Sequence, residues 1–210
     1  MLGRYFAAMA AGEAASSEAF ERLAGELVAL EMPVKLVARA RRAAREEMRH
    51  FRLTAALARR FGAAAKRAHV PSQRRRTLLD LAVDNAREGV VRETFGAVAG
   101  WWQAQHATER VVRDVMRRIA HDETSHAELS WALDVAARER LTVKERRALD
   151  AATAVAVARL ERDLDTEVLP ELESRAGLPN RRVTRALFDT TERTLWSCAA
   201  ACGGSDVGAN

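Results

Sequence analysis

A duplicated helical hairpin constrains this chain more than any other feature. Arg42, Ala44, Glu47, His50 and Leu53 recur in the same order and spacing as Arg118, Ala120, Glu123, His126 and Leu129. Ahead of each stretch lies another helical segment. There Glu13, Glu18 and Phe20 recur, again with their spacing kept, as Glu88, Glu93 and Phe95. Helix pairs that cannot bury their apolar face alone stack on each other, so the repeat predicts an all-α, pseudo-twofold antiparallel four-helix bundle. A site built on one hairpin is then completed by its counterpart on the other.

Apolar spacing at intervals of three and four predicts six helices, at about 4–30, 34–61, 72–105, 108–140, 142–169 and 180–201. The third is expected to start after Pro71 with Ser72 as its cap, and Thr142 with Glu145 reads as a capping box opening the fifth. Residues 1–140 form the bundle. Residues 141–202 supply two further helices that pack on the bundle or form an interface, and 203–210 form a disordered tail. A chain of 210 residues suits a single core.

No run of eighteen apolar residues occurs, so no membrane span or membrane partner is expected. The opening segment lacks the compact apolar core of a signal peptide, and a cytoplasmic location follows. The net charge of +5 raises the question of nucleic acid. The arginines, however, are spread along the helices among acids, and no aromatic interleaving accompanies Arg74, Arg75 and Arg76, so a solvated surface is the simpler reading. Cys198 and Cys202 continue an apolar stripe and read as buried thiols.

The chemistry rests on Glu47-Met48-Arg49-His50 and Glu123-Thr124-Ser125-His126, both Glu-x-x-His. Positions i and i+3 are neighbours on one helix face, so carboxylate and imidazole reach one metal ion together. Each motif interrupts an otherwise apolar seam: Leu36, Ala40, Ala43, Thr54 and Leu57 on one helix, Val112, Met116, Ile119, Ser130 and Leu133 on the other. An unpartnered carboxylate there would be costly, and a metal ion removes the cost. The remaining two helices are each expected to supply a carboxylate. The separation of Glu13 from Glu47 nearly equals that of Glu88 from Glu123, and across a short turn both bring the groups to similar levels. Glu18 and Glu93 are rivals. Five residues on a regular helix turn by about 140°, so only one of each pair faces inward unless a π-bulge intervenes. Glu46 and Asp122 stand beside the motifs, with Asp122 placed to orient His50 and Glu46 to orient His126.

The segments Glu13-Ala14-Ala15-Ser16, Arg45 to His50, Glu88 to Thr94 and Ile119 to Leu129 resemble those of bacterial ferritin-like domain proteins, dimetal carboxylate proteins of the ferritin and rubrerythrin type, across residues 5–137. The resemblance implies Glu13, Glu47, His50, Glu88, Glu123 and His126 as metal ligands. Glu93 is either a seventh ligand or a catalytic, proton-handling carboxylate. Four carboxylates balance two divalent ions, and the donor set suits two iron ions, with manganese or a mixed manganese–iron pair as alternatives. The implied activity is a di-iron oxidase or oxygenase using O2 or peroxide, with an unidentified small-molecule substrate or electron donor; the C-terminal helices are candidates for a substrate-pocket wall or a homodimer interface. A ferroxidase or iron-storage subunit is the alternative, and a non-enzymatic partner-binding helical module a further one. The only tyrosine, Tyr5, lies two turns from Glu13, so a tyrosyl-radical role is not expected.

Overall fold

The computed structural model describes residues 1–68 and 76–197. Among them the chain is all-helical, with no strand. Helices α1 (Leu2–Ala29) and α2 (Val34–Arg60) form one hairpin, and α4 (Thr94–His106) and α5 (Arg110–Arg138) another. A short α3 (Leu78–Asp84) leads into α4 through a π-helical segment, Asn85–Glu93. Then come α6 (Val143–Asp163), α7 (Pro170–Ala176) and α8 (Arg181–Thr191), and a second π turn at Glu192–Trp196. No described helix is long and apolar enough to cross a membrane. Cys198 and Cys202, Arg74 and Arg75, Ser72 and the 203–210 tail lie outside the described residues.

Local chemistry sets the boundaries. α3 starts at Leu78 because Thr77 and Asp80 close a reciprocal capping box, later than the sequence reading placed it. Thr142 and Glu145 form the expected box at α6. That helix stops at Asp163 rather than continuing to 169. Pro170, which cannot continue an α-helix but suits its first turn, opens a separate helix, so the C-terminal region has three helices rather than two. α7 ends on Gly177 at φ 69°, and a Cβ there would collide with the Ala107 backbone nitrogen. Only glycine meets both conditions.

Two apolar clusters fill the ends of the hairpin pair. At one end Phe20, Leu27, Leu36, Ala40, Leu129 and Leu133 are buried together, and at the other Phe6, Leu57, Val112, Met116 and Ile119. On α1, α2 and α5 the residues between these clusters include Glu13, Glu47, His50, Glu123 and His126, so the polar side chains occupy a layer with packed hydrocarbon on both sides. The C-terminal helices add a third cluster, in which Val157, Leu160, Phe188 and Trp196 pack on Val90, Val91 and Phe95. They brace the π-helical segment from outside.

Candidate metal centre

Glu47 and His50 on α2 and Glu123 and His126 on α5 face one another across the middle of the hairpin pair. Glu13, Glu47, His50 and Glu123 form one group of converging donor atoms, all within 4.8 Å of one another, and Glu47, Glu93, Glu123 and His126 form a second. Glu47 and Glu123 belong to both. The two imidazole centroids are 5.9 Å apart. Glu13, Glu47, His50 and His126 are buried, while Glu93 and Glu123 retain partial exposure.

Each histidine is oriented from behind. His50 Nε2 lies 3.0 Å from Asp122 Oδ2, and His126 Nε2 lies 3.1 Å from Glu46 Oε2. This is the crossed pairing that the sequence led us to expect. A carboxylate only accepts, so each Nε2 carries the proton and each Nδ1 points inward. Arg49 secures the carboxylates, at 2.6 Å from Asp122 and 3.9 Å from Glu46. Its role had no signature beyond position within the motif. Thr54 and Ser130, at matching positions of the repeat, donate to the carbonyls of His50 and His126 at 2.8 and 3.1 Å.

The inward atoms test whether a metal fits. Glu47 Oε2, His50 Nδ1 and His126 Nδ1 are sealed from solvent with no hydrogen-bond partner. Buried polar atoms are seldom left so. Nonetheless, His50 Nδ1 stands 3.2 Å from Glu123 Oε1, and His126 Nδ1 stands 3.1 Å from Glu47 Oε1. Donor atoms crowded together without mutual hydrogen bonds are what a cation between them would explain. Glu13, Glu47, Glu93 and Glu123 carry four negative charges against two divalent ions, so the donor set fits a dinuclear site.

Without metal, protons supply the missing positive charge. Burial pushes the Glu13 carboxyl up to about 8, partly offset by His50. Burial and the neighbouring Glu123 hold Glu93 well above the carboxylate range. Burial alone would lower both histidines, but their carboxylate neighbours prevail: His126 is pushed up to about 10, and His50 is also raised. Glu47 and Glu123 resist burial through the two imidazoles and lie below the usual range.

One expected ligand is displaced. The Glu88 side chain is 66% exposed and pairs with Arg92 at 3.7 Å, while Glu93 takes its place in the cluster. Register is the reason. Glu123 lies as far into α5 from Arg110 as Glu93 lies before the end of α4 at His106, so the two reach the same depth. Glu88 lies five residues earlier on the π-helical segment, further along the axis, and its side chain is turned to solvent. Glu93 also leads the inward seam Ala97, Gly100 and Ala104, a helical spacing that was readable in the sequence. Glu18 is exposed and outside both groups. Tyr5 is half-buried, desolvation pushes its hydroxyl up to about 12, and that hydroxyl accepts a hydrogen bond from Gln103 Nε2 at 3.2 Å.

The π-helical segment is held on two sides. The Trp196 indole N–H donates to the Val90 carbonyl at 3.0 Å, and Asn85 Nδ2 donates to the Ser130 carbonyl at 2.9 Å. A Cβ on Gly89 would collide with Ser130 and Asn85. Gly89→Ala is therefore expected to cost about 1–3 kcal/mol in chemical denaturation and to weaken metal retention, because the segment carrying Glu93 must move outward. Unchanged stability and unchanged metal content would show that this close approach is not required. Comparison with known families, curated proteins and solved structures gave no match.

Proposed function

We propose that this chain is a ferritin-like four-helix bundle with added C-terminal helices, and that it holds two metal ions, iron by preference, as an oxidoreductase of O2 or peroxide. The observation that carries the reading is the pair of overlapping donor groups sharing Glu47 and Glu123, with both inward histidine nitrogens unpartnered. Glu13 and His50 would complete one position, Glu93 and His126 the other. Manganese would suit the same donors.

Two ferrous ions, when bound, supply the two electrons that with two protons take O2 to hydrogen peroxide. The protein's part is placement and exclusion. Asp122 and Glu46 fix the ring orientations. The two apolar clusters limit water at either end. Glu93 also lines a surface pocket, so its carboxylate is the group through which a proton passes between pocket and centre.

Aerobic loading with ferrous iron, followed by iron quantitation, oxygen consumption and solution mass, tests the reading. The expected result is oxygen uptake by a small oligomer that stops at about two irons per chain. A very large assembly accumulating many irons would establish storage instead. Absence of oxygen consumption would leave the partner-binding alternative.

A further inference from the structure

Helix α2 keeps its acids inside and its bases outside. Its two acidic residues, Glu46 and Glu47, are buried, and every exposed charged side chain along Val34–Arg60 is basic. In the sequence the arginines stand among acids; on this helix, folding separates the signs. Three arginines are engaged: Arg39 with Glu128, Arg42 with Glu46, and Arg49 with Asp122. Lys35, Arg41, Arg45, Arg52, Arg59 and Arg60 are exposed, and none has a hydrogen-bond or ion-pair partner among the described residues. The chain's net charge is +5, so this one face carries its whole positive excess.

Arg41, Arg45, Arg52 and Arg59 follow one another at intervals of four, seven and seven residues. At about 100° per residue these intervals keep the four within an arc of about 40°, and at ~1.5 Å per residue they span ~27 Å. The row runs along one unbroken helix of 27 residues. It lies on the side of α2 away from the buried Glu47 and His50, so it is separate from the metal centre.

Like charges aligned in this way repel one another, and a partner with a matching row of negative charges removes the repulsion. Guanidinium groups suit phosphate oxygens, which they engage bidentately. Duplex DNA carries one negative charge per ~1.7 Å of axis, so the row covers about eight base pairs. Between Lys35 and Arg60, α2 exposes no large apolar residue to enter a bilayer or to fill the core of a protein interface. Nor does it expose an aromatic ring on which single-stranded bases stack, or a hydroxyl or amide that reads a ribose 2′-OH. We infer that this face binds the phosphate backbone of duplex DNA without regard to base sequence. The inference goes beyond the dimetal reading and does not rest on it.

Fluorescence anisotropy of a labelled duplex of ~24 base pairs, titrated with the full-length protein between about 50 and about 200 mM salt, tests the assignment. The logarithm of the binding constant is expected to fall against the logarithm of salt with a slope of about −4 to −5, at ~0.9 per phosphate neutralised by four to six side chains. Two duplexes of unrelated sequence should bind alike. Arg41→Gln, Arg45→Gln, Arg52→Gln and Arg59→Gln together should weaken binding by about tenfold per residue at the lower salt and flatten the slope by about 3 to 4. A control removes the same charge from exposed positions of α6 and α8: Lys144→Gln, Arg147→Gln, Arg162→Gln and Arg182→Gln. It should bind within about threefold of the unaltered protein. Circular dichroism establishes that both variants are folded. Equal losses in the two variants would show a response to net charge alone and overturn the assignment. So would absence of duplex binding, tighter binding of the single strand, or binding of phosphatidylserine vesicles in place of the duplex.

Discussion

Replacing Glu47 and Glu123 together by alanine is expected to reduce bound iron from about two ions per chain to none, while Glu88→Ala retains both. Glu47 and Glu123 each belong to both donor groups. Their removal leaves Glu13 with His50 in one and Glu93 with His126 in the other, two donors where four converged. The Glu88 carboxylate stands in solvent beside Arg92 and has nothing to lose. An imidazole left without its carboxylate partner can shed its proton rather than stay as an unpaired buried charge, so the metal-free variant should still fold, which circular dichroism checks. Two ions retained by the double variant would refute the dinuclear assignment. Loss of metal in Glu88→Ala would return that residue to the ligand set.

Loading with ferrous iron under argon is expected to raise the thermal midpoint by about 8–16 °C, reversibly with a chelator. The size follows from linkage: a ligand present at about a thousandfold its dissociation constant adds about 4 kcal/mol, and a domain of this length gains ~2–4 °C per kcal/mol. The effect has a definite pH dependence. Glu13 and His126 both have raised folded-state pKa values, about 8 and about 10 against ordinary values of 4.5 and 6.5. Groups raised in this way stabilise the metal-free fold fully below their unfolded values, and that contribution is lost as pH rises through the folded ones. The metal-free midpoint should therefore fall between about pH 5 and pH 10. The increment due to metal should widen over the same range, since each ion displaces protons that are then held less tightly. A midpoint indifferent to iron throughout would show that the centre does not hold metal in the folded chain.

Residue order alone was enough for the helical class, for the hairpin boundaries to within a few positions, and for both Glu-x-x-His pairs. These follow from local rules: i, i+3 spacing puts Glu47 beside His50 and Glu123 beside His126, and the apolar seams give both motifs one direction. The crossed partnership of Glu46 with His126 and Asp122 with His50 was equally legible, because each acid precedes its motif at the same repeat position. Glu13 was the better choice over Glu18 by its spacing to Glu47. Packing, by contrast, settled the choice between Glu88 and Glu93. Repeat alignment favoured Glu88, since it compares residues by order along the chain, whereas membership of the cluster depends on depth along the bundle axis. The two hairpins differ there, because Glu93 lies nearer the end of α4 than Glu13 lies to the end of α1. The bracing of the π-helical segment by Trp196, far from Val90 in the chain, likewise has no local signature. A buried indole donor and a carbonyl on another helix meet only when the C-terminal layer packs, and that packing depends on the whole arrangement of helices rather than on local spacing.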